Sequence, residues 1–177
     1  MLRNYFALIY SVDIATPDYM GHGKLLEGYL DDPRAMFCPA DDTNDPVEEL
    51  AKVRSQSDNA FSSYLYRQLD RTQSDRIDDL GNSNPDLAAT ALLLDSNALL
   101  PPPQGRTNHE NRVVNIAYHD GHVQQTYNSD NQTDGLFSLR AGDMSAFKNR
   151  LDQIMIAADY QLVGDPAAAP TSAYPWP

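Results

Sequence analysis

One stretch constrains this chain more than any other. Residues 112–119 (Arg-Val-Val-Asn-Ile-Ala-Tyr-His) alternate and are rich in β-branched side chains, and His122 to Tyr127 forms a second such run. Asp120-Gly121 stands between them. Asp-Gly between two alternating runs is a strong local hairpin signal, because a type I′ turn needs two residues at positive φ. The chain is therefore expected to contain an antiparallel sheet with this hairpin in it. In a two-residue hairpin His119 and His122 would face each other with Cβ atoms ~5 Å apart.

The helical signals are more dispersed. Leu2, Phe6, Ile9 and Val12 or Ile14 fall on one stripe, which predicts a helix over 2–14 ended by Thr16-Pro17-Asp18. Residues 24–30 predict a short helical turn, and 46–55 a helix with Asp45 as cap and Pro46 at its first position. Asp143 is expected to cap a helix over 144–160 with Phe147, Leu151, Ile154 and Ala158 on one face. Residues 89–95 read as a buried strand, and 60–69 fit either a strand or a helix. The expected class is α+β: an N-terminal helix packed on a small antiparallel sheet, with an extra C-terminal helix. At 177 residues the chain is expected to form one globular domain over 1–163, followed by a flexible Pro/Ala-rich tail over 164–177.

Charge narrows the function. There are 25 acidic against 13 basic residues, a net charge of −12. Such a chain repels a phosphate backbone and anionic lipid, so nucleic acid is not an expected partner. Only four acids are glutamate (Glu27, Glu48, Glu49, Glu110), which leaves 21 aspartates. Aspartate suits turns, caps and calcium loops. No apolar run approaches the ~18 residues of a membrane span, and the opening Met-Leu-Arg-Asn-Tyr has no signal-peptide core. The single cysteine, Cys38, excludes an intrachain disulfide.

Two groups of residues could hold a metal. In the loop from Asn128 to Gly135, Asp130, Asn131 and Asp134 could bind calcium together with backbone carbonyls. His109, His119, Asp120 and His122 fall within fourteen residues, and His119 and His122 across the turn could share a transition metal, with His109 or Asp95 as a third ligand. No Gly-x-Ser-x-Gly, Gly-x-Gly-x-x-Gly or phosphate loop is present. Cys38, in an apolar run before Pro39, reads as a buried thiol rather than a nucleophile. No complete catalytic set emerges, and the chain is expected not to be an enzyme.

Several blocks occur in a recognisable order: Phe37-Cys38-Pro39-Ala40-Asp41, Ser62-Ser63-Tyr64, Asn108-His109, and Asn115-Ile116-Ala117-Tyr118-His119-Asp120-Gly121-His122-Val123. Over roughly residues 1–127 the chain resembles the bacterial type II secretion pseudopilin-like proteins named for an H-X9-DG motif. The matching positions are Cys38, Pro39, Asp41, His109, Asn115, Asp120, Gly121 and His122, with ten residues rather than nine between His109 and Asp120. The resemblance implies a pilin-like domain. It also implies a structural role as subunit or accessory of a type II secretion or type IV pilus-like filament, in the periplasm or at the cell surface. The implied partners are other pilin-like subunits in a homo-oligomer or filament, with membrane contact only through a helix absent from this chain. Related major pseudopilins hold calcium in a C-terminal loop, which adds to the reading of Asp130–Asp134. Two other readings stand beside it: an extracellular binding module for glycan, peptide or a secreted partner, and a metal-dependent hydrolase built on Asp95, His109, Asp120 and His122.

Overall fold

In the computed structural model, residues 8–13, 16–67, 78–84, 87–100, 105–128 and 135–163 are described. The expected fold class is overturned at the N-terminus. Where the apolar stripe predicts a helix over 2–14, Leu8–Ser11 form strand β1, all four residues buried. Residues 1–7 and 14–15 of that prediction lie outside the described residues. β1 pairs antiparallel with β2 (Asp18–Tyr19) and β3 (Ala60–Phe61) in a three-stranded sheet. The reason is burial. Leu-Ile-Tyr is a continuous apolar run, which a strand covered on both faces and a buried helix share, so spacing alone does not separate them. Ile9 and Tyr10 are then enclosed by Met36, Phe37, Leu50, Val53 and Ala60.

Helix α1 (Pro46–Ser55) closes this half. Asp45 caps it, its carboxylate accepting from Val47 N at 2.8 Å. Buried Glu49 ties the helix to β3, accepting from Phe61 N at 2.8 Å and from Lys52 Nζ at 2.7 Å. The turn expected over 24–30 is a 3-10 helix, Gly21–Glu27, ended by Gly28 at φ +116°.

The second half is built on a four-stranded antiparallel sheet in the order β10-β9-β7-β4, from β4 (Tyr64–Tyr66), β7 (Ala91–Asp95), β9 (Val113–Tyr118) and β10 (Val123–Tyr127). β5 (Asn82–Asn84) and β6 (Leu87–Ala88) form a small hairpin. β8 (Asn97–Leu99) and β11 (Ser138–Arg140) form a parallel pair. Helix α2 (Phe147–Val163) packs on one face of the four-stranded sheet. Its Phe147, Leu151, Ile154 and Ala158 join Leu65, Leu94, Val114, Ile116 and Tyr118 in the main core. The long helix on the four-stranded sheet is thus C-terminal, and the described residues hold no long N-terminal helix packed on a sheet. No helix among them is long and apolar enough to cross a membrane.

Two local features shape the sheet. The register slips between Ala91 and Leu93 against β9, a bulge at Leu92. Ala91 and Leu94 both reach the core in consequence, while Leu93 and Asp95 face the other way. The hairpin loop also differs from the expected two-residue turn. Tyr118 N donates to His122 O, and Gly121 N to Tyr118 O, both at 3.0 Å. Only Gly121 of the Asp-Gly pair has positive φ, +91°. The loop is therefore the three residues His119–Gly121, of the kind that a left-handed residue closes with a bulge. Tyr118, not His119, lies opposite His122. Gly121→Val is expected to cost more than about 1 kcal/mol, because a β-branched residue resists this φ; thermal unfolding of the variant measures it. Since no atom lies within 4 Å of a Cβ placed there, conformation alone would account for the loss.

Candidate functional site

The four-stranded sheet has an open face opposite α2. Its cross-strand register aligns Gln125 with Asn115 and Tyr64 with Asp95. Asn115 and Asp95 lie on neighbouring strands and bond directly: Asp95 Oδ2 accepts from Asn115 N at 2.8 Å and from Asn115 Nδ2 at 2.9 Å. Gln125 Nε2 donates to Asn115 Oδ1 at 3.2 Å, extending the polar row to the sheet edge. Asp95 ends an apolar strand and is 1% exposed.

Two loops bring further groups onto this row. His109 Nε2 stands 3.3 Å from Asp95 Oδ2, 3.3 Å from Cys38 Sγ and 2.9 Å from Asn115 Nδ2. Ala40 N donates to Cys38 Sγ at 3.4 Å. The ligand-type atoms of Cys38, Asp95 and His109 all lie within 4.8 Å of one another, and among the described residues no other group of three His, Cys, Asp or Glu side chains is so compact. They border a groove of about 470 Å³, lined also by Tyr64, Leu93, Ala117 and Val123.

The loop that presents His109 is strained. His109, Glu110 and Asn111 have φ of 52°, 53° and 59°, three successive non-glycine residues in the left-handed region. Such residues cost on the order of 1–3 kcal/mol each and persist only where surrounding contacts impose them. Those contacts are present on both sides. Buried Asn108 donates from Nδ2 to Ser63 O at 2.9 Å and to Ser96 O at 2.8 Å, and from its backbone N to Asn97 Oδ1 at 2.9 Å. His109 N donates to Ala40 O at 2.9 Å. Asn111 Oδ1 accepts from Asn128 Nδ2 at 2.8 Å and Ser138 Oγ at 2.7 Å.

Electrostatics keep the acids of this site protonated more readily than usual. Burial pushes the Asp95 carboxyl up, partly offset by the Asn115 hydrogen bonds and by His109. Burial also pushes the Cys38 thiol up, and the charges of Asp95, Asp41 and Asp42 add to this. Tyr64 is raised to about 12, again chiefly by burial. A thiol shifted upward carries little thiolate at neutral pH and is a poor nucleophile. The geometry points the same way. In a nucleophile–base–acid series the acid and the nucleophile take opposite ring nitrogens of the histidine. Here Cys38 and Asp95 both approach Nε2. Labelling of native Cys38 by a thiol reagent is expected to be slow, and fast once the chain is unfolded; equal rates would show an accessible thiol.

The structure separates the residues that the sequence grouped. Cys38, His109 and Asn115, distant motif positions, meet, and Asp95 joins them. Pro39 lines the same groove. Asp41 braces the Cys38 loop, accepting from Ser63 Oγ at 2.6 Å through Oδ2 and from Thr43 N and Asn44 N at 3.0 Å through Oδ1. His109, His119, Asp120 and His122 do not converge. His122 Nδ1 pairs with Asp120 Oδ1 at 2.6 Å at the hairpin tip, and its ring stacks on Tyr118 with centroids 4.4 Å apart. The His122 backbone N–H, then its side chain, hold the Asp120 carboxyl below its usual range. His119 contributes its backbone N to Thr90 O at 2.9 Å. The hydrolase grouping is likewise divided, Asp95 and His109 standing in the sheet-face cluster while Asp120 and His122 pair at the hairpin tip. Asp130, Asn131 and Asp134 lie outside the described residues, as does the tail 164–177.

Sequence reasoning missed the grouping of Cys38 with Asp95 and His109. The available signal was Asp95 itself, a carboxylate ending a strand of Ala and Leu. No family model matches this chain, and no curated protein or solved structure matches it.

Proposed function

We propose that the chain is an accessory module of a cell-surface, pseudopilin-like assembly, acting through protein contacts rather than by catalysis. The observation that carries the reading is the convergence of its motif positions. Cys38, His109 and Asn115 come from three separate blocks and meet in one braced cluster on the open sheet face. Such convergence gives the blocks a common architectural reason for being in one chain. The reading does not use an N-terminal filament helix, since residues 8–11 are a strand.

Surface-protease shaving and chemical cross-linking in cells that make the protein would test it. The expected result is an externally accessible protein that cross-links to subunits of a secretion or pilus-like filament. A cytosolic protein with no cross-linked partner would overturn it.

A second reading, an extracellular module that binds peptide, glycan or a secreted partner, is favoured by the groove beside the cluster, with Tyr64, Leu93, Ala117 and Val123 along it. Binding to a peptide or glycan array that Val123→Asp abolishes would support this reading over the first.

A further inference from the structure

We propose that Cys38 Sγ, His109 Nε2 and Asp95 Oδ2 form a site for a zinc-class divalent ion, with its remaining coordination position toward the groove. The inference stands independently of the assembly reading. Its basis is the arrangement of three electron-pair donors from three segments about one point. Two donor atoms on a tetrahedral zinc, with bonds of about 2.0–2.3 Å, stand about 3.3–3.6 Å apart. The Sγ–Nε2 and Nε2–Oδ2 separations are both 3.3 Å.

Hydrogen bonding alone leaves this cluster poorly matched. Asn115 Nδ2, a donor, lies 2.9 Å from Nε2 and calls for an acceptor there. Asp95 Oδ2 already accepts twice from Asn115 and lies 3.3 Å from the same nitrogen. With Nε2 unprotonated, lone pairs of Nε2, Oδ2 and Sγ face one another, and a cation among them takes one from each while the Asn115 amide donates to Oδ2. The other carboxylate oxygen, Asp95 Oδ1, is buried and has no hydrogen-bond partner among the described residues, on a residue 1% exposed. A buried carboxylate so poorly solvated is costly to hold charged, and a cation on Oδ2 offsets that charge.

The donor set selects the ion. Sulfur and imidazole nitrogen suit zinc and similar transition metals, whereas calcium takes six to eight oxygens. The surroundings supply the supporting contacts that metal ligands need. Asn115 orients Asp95 through two hydrogen bonds, Asn108 and Ala40 hold the His109 loop, and Ala40 N bonds the sulfur.

Metal titration of the purified, chelator-treated chain tests the site, and the single cysteine makes the readout specific. One zinc per chain is expected. Cobalt(II) in its place should show tetrahedral d–d bands with a thiolate-to-cobalt charge-transfer band. Cys38→Ser should remove that band and weaken zinc binding at least about tenfold, as His109→Ala should, while His122→Ala leaves both unchanged. Should either ligand variant fail to fold by circular dichroism, the wild-type chain still decides: zinc, and not calcium, should slow alkylation of Cys38 at least about tenfold. Zinc bound equally by Cys38→Ser, an absent thiolate band, or an unchanged alkylation rate would each overturn the proposal. Loss of binding in His122→Ala alone would move the site to the hairpin and overturn it as well.

Discussion

Asp159→Ala is expected to destabilise the domain by about 3–5 kcal/mol, the cost of leaving one member of a buried ion pair alone. Arg67 Nη2 meets Asp159 Oδ2 at 2.6 Å, with side chains 6% and 0% exposed. The carboxylate also organises the start of β7. Its Oδ1 accepts from Thr90 N and Ala91 N, each at 2.8 Å. Removing it leaves the Arg67 guanidinium, whose Nε has no partner among the described residues, with the Met155 carbonyl at 3.1 Å but no counter-charge, and orphans two backbone donors. Urea unfolding followed by circular dichroism measures the loss. The pair Arg67→Met with Asp159→Leu should cost less than the two single changes added, because apolar replacement of both partners leaves no orphaned charge. A loss under about 1 kcal/mol for Asp159→Ala would show that the pair is not buried in solution.

The second large effect is a pH dependence centred on His22. This histidine is buried under β1, its Nε2 2.6 Å from Ser62 Oγ and its Nδ1 without a partner among the described residues. Burial disfavours the imidazolium and lowers its pKa to about 4 from an ordinary 6.5. The sign follows from proton counting. Between those two values the unfolded chain binds the proton and the folded chain does not, so stability falls as pH falls through the window. The contribution is complete above pH 6.5 and lost by about pH 4, amounting to about 3 kcal/mol at 1.36 kcal/mol per unit. Unfolding free energies of wild type and His22→Gln, compared from pH 7 to pH 4, isolate this group. A difference between the two that does not change with pH would refute it.

Elements governed by neighbours along the chain are legible in the sequence itself. The Val113–Tyr127 hairpin announces itself through alternation and its Asp-Gly turn, and α1 through Asp45 and Pro46. The apolar stripe of α2 is the stripe that packs. Failures cluster where burial removes periodicity. β1 is apolar from Leu8 to Tyr10 and buried throughout, so its sequence is compatible with a helix. The histidine grouping failed for a related reason. Nearness in sequence put His109 with His119 and His122, but the strand between them carries the hairpin tip away, while the left-handed loop turns His109 onto the sheet face.

What the sequence determined by itself was local: where the hairpin turns, where α1 begins, that no disulfide forms within it, and that its net charge is strongly negative. Those properties follow from the conformational preferences and charges of single residues and their near neighbours. Tertiary structure alone decided that Cys38, Asp95 and His109 share one point. That meeting depends on strand register across β7 and β9 and on the Asn108 clamp, and both are set by contacts between residues far apart along the chain.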